Sequence, residues 1–395
     1  MRVSAYIEDR NRRLKEGFNR FMAAAKGIPD RVPVSAQMPE HVPFLCGLST
    51  ADFFQRPPCF VKGMLAVHQY YDLDIVYLFY DVYNIEAEAM GAKLVWGEKS
   101  VPGLDAAVPL VRERKDLDRL VPPIPGQAGR MPFILEICRL FTAYTGLPAL
   151  IGICAPFSLA VGVRGYVNLV RDMRKDPGFV HSLLKFLVKE VLILWAREIK
   201  RATEGRVVLF AADAWASPPN IDQRIQEEFV VPYVKLLRES TGVSSQGQWG
   251  QSYLSDPERF LETQMEMGMP VTGLDPDAER LGPERFKAFA LRHQAPLTFG
   301  INSLLLRDGP PEEITKKTRH YIKVGAPGGR FFLFLNNVPA DTPPVHVFSA
   351  VEAVRTWGGY FMKDRKEGPV TTPHFTFPDF LCQRGMDDPD YFLTP

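Results

Sequence analysis

The sequence has no charge of either sign to spare. Forty-seven Lys and Arg against 46 Asp and Glu leave a formal net charge of +1, which removes the electrostatic reason to expect nucleic acid or an anionic membrane as partner. Cysteine is scarce and unpatterned. Cys46, Cys59, Cys138, Cys154 and Cys382 are odd in number, widely spaced and never in a C-x-x-C pair, which argues against a disulfide framework and a local zinc knuckle. A reducing cytoplasm is the expected compartment. The charged N-terminus, Met-Arg-Val-Ser-Ala-Tyr-Ile-Glu-Asp-Arg, lacks the apolar segment of a signal peptide. One uncharged stretch, Leu140 to Val163, is long enough to cross a bilayer. It carries Pro148, Pro156, Gly146, Gly152 and Gly162, so it reads as a helix end, a turn and a buried strand.

What remains is an ordinary globular chain. With 395 residues, 46% hydrophobic and 24% charged, it can bury a large core, and its expected partner is a small molecule. Eight segments read as strands, apolar or extended runs that break into a loop and in most cases end in or beside a polar residue. They are Arg31–Met38, Asp74–Asp81, Ala149–Cys154, Arg206–Asp213, Thr241–Trp249, Pro270–Asp275, Pro296–Asn302 and Arg330–Asn337. Helix-length amphipathic segments separate them, among them 60–71, 133–144, 166–204 and 222–239. Such alternation requires a parallel sheet, and eight repeats predict a (β/α)8 barrel. The expected organisation is an N-terminal helical extension over 1–30, the barrel over 31–364 and an aperiodic tail over 365–395 that packs across the barrel surface or a second subunit. Residues 94–132, rich in Pro, Gly and charge, read as a surface excursion, and Ala155–Ser158 as a loop.

In a parallel barrel the chemistry sits at the carboxyl ends of the strands. Asp81, Asp213 and Asp275 each end a strand, and each is also suited to capping a helix or loop. Gln37, Glu40 and His41 follow the first strand; Glu40 and His41 are candidate acid, base or hydrogen-bonding groups, or a solvated loop pair. Gln248 and Trp249 follow the fifth, where the indole offers either a π face or packing. Asn302, Asn336 and Asn337 end the last two strands as neutral amides. His68 lies on an apolar helix face and reads as structural, and Phe331, Phe332 and Phe334 read as core.

Ile151-Gly-Ile-Cys-Ala-Pro-Phe-Ser-Leu159, Asp213-Ala-Trp-Ala-Ser217 with Phe229-Val-Val-Pro-Tyr233, Gly300-Ile-Asn302, and Gly328-Gly-Arg330 with Pro339-Ala-Asp-Thr-Pro343 follow one another in that order. The ordered set resembles the uroporphyrinogen decarboxylase superfamily, which includes methylcobamide:coenzyme M methyltransferases and related corrinoid-dependent methyltransferases. The resemblance spans roughly residues 14 to 360 and implies a barrel with its site at the C-terminal mouth. It matches Asp81 to the aspartate that, in the decarboxylases, binds pyrrole N–H groups and stabilises developing positive charge. It also exposes departures. Ser35–His41 lacks the decarboxylase arginines, the family tyrosine falls at Gly162, and the late histidine falls at Asn336. The zinc-dependent thiol methyltransferases carry His-x-Cys and a later Cys where this chain has Gly247-Gln-Trp249 and Asn336, so no metal site is expected.

The expected function is a zinc-independent, corrinoid-linked methyltransferase acting on a small substrate. Asp81, Asp213 and His41 are its catalytic candidates, and Gln37, Glu40, Gln248, Trp249, Asn302, Asn336 and Asn337 its substrate-binding candidates. No tightly bound cofactor is expected; cobalamin would come from a partner corrinoid protein, and a homodimer is left open. The alternatives are decarboxylation of a carboxylate smaller than uroporphyrinogen, with Asp81 central, and a non-catalytic binding barrel.

Overall fold

A computed structural model describes residues 3–98, 100–360, 375–388 and 390–394. In chain order its strands are β1 (Val34–Ala36), β2 (Leu94–Val95), β3 (Gly103–Leu104), β4 (Ala149–Cys154), β5 (Val207–Ala212), β6 (Ser244–Gln246), β7 (Val271–Leu274), β8 (Leu297–Ile301) and β9 (Phe331–Leu335). Seven of the eight expected strand segments form these ladders. The eighth, Asp74–Asp81, is joined by single contacts: Ile75 bridges Ser35 in parallel, and Leu78 N–H donates to Leu150 O at 2.9 Å. No helix among the described residues is long and apolar enough to cross a membrane.

The chain divides into two compact units. The first comprises Met1–Tyr77, Tyr144–Leu147 and Pro270–Pro395. Its parallel sheet has the order β1-β9-β8-β7, with Val34 opposite Leu333 and Leu297 opposite Phe331. These strands read as near-continuous apolar runs because both faces of a helix-flanked parallel sheet are buried. Phe299, Phe331 and Leu333 are fully buried. Helices Pro283–Arg292, Pro311–Gly325 and Pro344–Trp357 each begin with proline in the first turn, where the missing N–H costs nothing. At the start of β1, buried Asp74 accepts from Val34 N–H and pairs with Arg20 and Arg31, each at 2.6 Å. That ion network clamps the N-terminal side of the sheet.

The expected tail has structure where it is described. Thr376 and Asp379 form a reciprocal cap on the helix Phe377–Cys382, and Phe377 and Phe380 pack edge-on to Tyr70 at 5.2 and 5.4 Å. This segment therefore docks on the helix Pro57–Tyr70 of its own chain. Residues 365–374, also assigned to the tail, lie outside the described residues.

The second unit comprises Leu78–Ala143 and Pro148–Met269. Its sheet is β4-β5-β6, again parallel. The uncharged stretch resolves into the end of the helix Met131–Thr145, β4, and a helix Pro156–Arg164. Ala155–Ser158 is thus mostly a helix start rather than a loop, with Pro156 at the first helical position. The excursion carries the antiparallel β2-β3 hairpin and a 3-10 turn over Arg114–Arg119.

Candidate active site

Register decides which strand ends meet in the second unit. Cys154 lies opposite Ala212, and Ala212 opposite Gln246. The ladder runs on through Ala155 N–H to Ala212 O and Asp213 N–H to Gln246 O, both 2.9 Å. The residues just beyond β4, β5 and β6 therefore share one carboxyl edge, where the parallel α/β folds put their chemistry.

Asp213 is fully buried there. Its Oδ1 accepts from Ser158 Oγ at 2.8 Å and from Ser158 N–H at 3.1 Å. Ser158 is the third residue of the helix Pro156–Arg164, so Asp213 satisfies an open N–H of that helix from across the sheet. Its Oδ2 has no hydrogen-bond partner. Burial pushes the carboxyl up to about 7, against the smaller opposing pull of Ser158 and the Gln248 amide. Taking a carboxylate out of water disfavours its charge, and only one oxygen is compensated.

Asp81 is also buried, yet its surroundings are the reverse. Arg130 grips it with both terminal nitrogens, at 2.9 and 2.5 Å, and the Asn84 amide donates at 2.9 Å. Arg130 also pairs with Glu88 at 2.7 Å and lies 5.2 Å over the Trp96 ring. The fork of a guanidinium suits such bidentate pairing. Asp81 is thereby a neutralised anchor that ties the excursion down.

Three further buried groups line the same strand ends. Glu86 is 0% exposed, and its Oε1 accepts from Cys154 N–H at 3.1 Å; burial pushes it up to about 7. Burial likewise raises the Cys154 thiol well above its usual range, leaving it a neutral packing group. Gln248, 1% exposed, accepts through Oε1 from Gln226 Nε2 at 2.9 Å. Around them three aromatics reach solvent from the loops after β5 and β6. Trp215 is 38% exposed, Trp249 39% and Tyr253 55%, and Trp215 stacks on Tyr166 at 5.3 Å.

The other candidates belong to the first unit. Gln37, Asn302, Asn336 and Asp275 follow the ends of its strands, joined by Gln37 N–H to Leu335 O, Asn336 N–H to Ile301 O and Asp275 N–H to Gly300 O. Asn302 caps the helix Ser303–Asp308, accepting from Leu305 N–H at 2.7 Å. Asn337 is exposed, with φ +52°. Glu40 is half-buried just before the helix His41–Cys46. His41 is completely buried. Its Nδ1–H donates to Ala340 O at 3.1 Å, which leaves Nε2 to accept from Tyr71 OH at 2.7 Å. With both nitrogens engaged and burial pushing it down to about 4, it is held neutral. Asp275 takes the Tyr321 hydroxyl and sits 3.6 Å from Lys317. It faces a helix.

Arg130, Glu86, Ser158 and Gln226 were not among the sequence candidates. Arg130 lies in the Pro- and Gly-rich excursion, 49 residues from Asp81, and no local spacing signals such a pairing. Ser158 had a signal in Pro156, which marks a helix start as readily as a loop.

The profile of the family described as "Uroporphyrinogen decarboxylase (URO-D)" matches residues 17–357. This chain belongs to the uroporphyrinogen decarboxylase family. The fold of that family is a (β/α)8 barrel, as the eight-fold alternation predicts. A solved structure, a methyltransferase from Methanosarcina mazei, shares that fold with a TM-score of 0.72 at 21% identity, over 85% of this chain and 97% of the other. In sequence, a methylated-thiol–coenzyme M methyltransferase from Methanosarcina mazei is 29% identical over 159 residues, 39% of this chain and 41% of the relative. The match thus spans under half the length of that curated relative. The positions at which the sequence resemblance expects zinc ligands carry a glycine at φ +81°, Gly247, an exposed indole, Trp249, and a neutral amide, Asn336. None of the three residues offers a thiolate or imidazole, so none is suited to ligate zinc.

Proposed function

We propose that this chain is a zinc-independent methyltransferase of the uroporphyrinogen decarboxylase family that removes a methyl group from an oxygen or nitrogen of a small substrate. The observation that carries the reading is the contrast between Asp213, with a free carboxyl oxygen and a proton exchanging near neutrality, and Asp81, whose charge is already met by Arg130. When a methyl–heteroatom bond breaks, the bonding pair stays on the heteroatom, and the leaving group departs more easily if protonated. Asp213 is suited to deliver that proton, because a general acid works best with its pKa near the working pH. A thiol acceptor would need a metal or base to ionise it, and Cys154 and the residues at the zinc positions supply neither.

A corrinoid presented by a partner protein would supply the methyl-accepting nucleophile. The exposed Trp215, Trp249 and Tyr253 fit such a partner, since flat apolar side chains suit the face of a planar macrocycle.

Decarboxylation asks Asp81 to stabilise positive charge on a substrate, and the Arg130 guanidinium takes that place here. The two reactions separate in one experiment. The protein is incubated with reduced cobalamin and a panel of methoxy and N-methyl compounds, and in parallel with small aromatic and pyrrole carboxylates. Mass spectrometry is expected to find demethylated product, lost in Asp213→Asn. Carbon dioxide release without demethylation would refute the proposal.

A further inference from the structure

Asp213 does not stand alone on its free side. Gln226 Nε2 donates to Gln248 Oε1 at 2.9 Å, and that bond commits the Gln248 oxygen, leaving its amide N–H edge for the other side. Gln248 Nε2 makes no hydrogen bond, and neither does Asp213 Oδ2, and Gln248 stands two residues past Gln246, whose backbone oxygen accepts from Asp213 N–H at 2.9 Å. Gln226 and Gln248 are 0% and 1% exposed, and the Gln248 amide acts on the Asp213 carboxyl as a hydrogen-bond donor would. Two fully buried primary amides in series are costly to maintain unless the groups they serve are polar too.

We infer that Gln226 and Gln248 are positioning residues, a two-amide relay that turns a donor edge onto Asp213 and keeps its proton exchangeable. The deduction rests on the reading above only in giving Asp213 a proton to move. Burial alone would hold this carboxyl protonated; a donor that favours its ionised form makes release possible. The other groups facing Asp213 do not do this work on its free oxygen. Ser158 bonds the opposite oxygen, Oδ1. The Cys154 thiol from β4 and the Tyr83 hydroxyl, which accepts from Ala214 N–H at 3.3 Å, are both held neutral by burial. Glu86 lies behind Cys154 on its backbone N–H.

The test is a titration that needs no substrate. Carboxyl C=O bands are followed by infrared spectroscopy across the neutral range, and the Asp213 band is assigned by its loss in Asp213→Asn. Gln248→Met, which removes the donor at similar volume, is expected to raise the midpoint by about one pH unit. Gln226→Met, which leaves Gln248 in place but unties it, is expected to raise it by less. An unmoved midpoint in Gln248→Met, with near-ultraviolet circular dichroism showing intact packing, overturns the relay. Movement in Gln248→Met but none in Gln226→Met removes Gln226 from it. A shifted midpoint in a protein that demethylates nothing would count against the proposed reaction and leave the relay standing.

Discussion

Asp81 and Asp213 are the same residue type in equivalent places, each buried just past an extended segment, and they have been turned to opposite uses. At Asp81 the chain supplies a full counter-charge from Arg130 and an amide from Asn84. At Asp213 it supplies one hydroxyl and one N–H on a single oxygen, and the Gln248 amide, the Cys154 thiol and the Tyr83 hydroxyl nearby are all uncharged. The first arrangement fixes a charge, and the second leaves a proton free to come and go. A strand-end carboxylate is therefore not informative by position; the charge of its nearest partner decides whether it anchors structure or carries chemistry.

The contrast breaks most visibly on the anchored side. Arg130→Met strands Asp81 and is expected to cost about 3–5 kcal/mol, because a buried charge loses its partner; urea unfolding measures it. A cost below about 1 kcal/mol would mean the pair is not the anchor described. Asp213→Asn, nearly isosteric, is expected to leave the unfolding midpoint almost unchanged at pH below the ordinary carboxyl pKa, where both side chains are uncharged, while lowering turnover about 10²–10⁴-fold, the usual contribution of a positioned acid.

Stability against pH sharpens the same point. Asp213 has a folded pKa raised to about 7, above the ordinary carboxyl value, so between those values the folded state holds more protons than the unfolded one. Its contribution is full below the ordinary value and is lost as pH rises through about 7, with a slope on the order of 1 kcal/mol per pH unit. Glu86, also at about 7, acts in the same sense. His41 and His68, pushed down to about 4 by burial, act oppositely, their contributions being lost as pH falls from the ordinary histidine value. The comparison must therefore be made as wild type minus Asp213→Asn, which is expected to remove one falling slope. Equal slopes in the two proteins would show that Asp213 is ionised throughout. Smallest of all, Ser158→Ala removes the hydroxyl from Asp213 Oδ1 and from Trp215 N–H and is expected to cost about 1–2 kcal/mol in thermal unfolding.

Much of the fold was legible because apolar runs and proline-led helices are local signals. Ala149–Cys154 and Phe331–Leu335 could hardly be anything but buried strands, and even the polar Ser244–Gln246 was marked by its place in the alternation. The helix Phe377–Cys382 lies in a tail with no apolar periodicity, and its one local signal is the capping pair Thr376 and Asp379, three residues apart. The site was less legible for a physical reason. A sequence displays a carboxylate but not its dielectric or its counter-ion, so Asp81 and Asp213 looked alike until Arg130, 49 residues away, proved to hold one of them. His41, which looked equally available, is sealed between Tyr71 and Ala340. Gln226 has no local feature that would single it out.

The most direct test of the account is the pH dependence of single-turnover demethylation, measured with the best substrate from the panel and reduced cobalamin in excess. If Asp213 donates the proton, the rate is constant at low pH and falls about tenfold per unit above a midpoint near 7, and Asp213→Asn abolishes that limb. A rate that is flat or rising through neutrality, or an identical limb in Asp213→Asn, would contradict it.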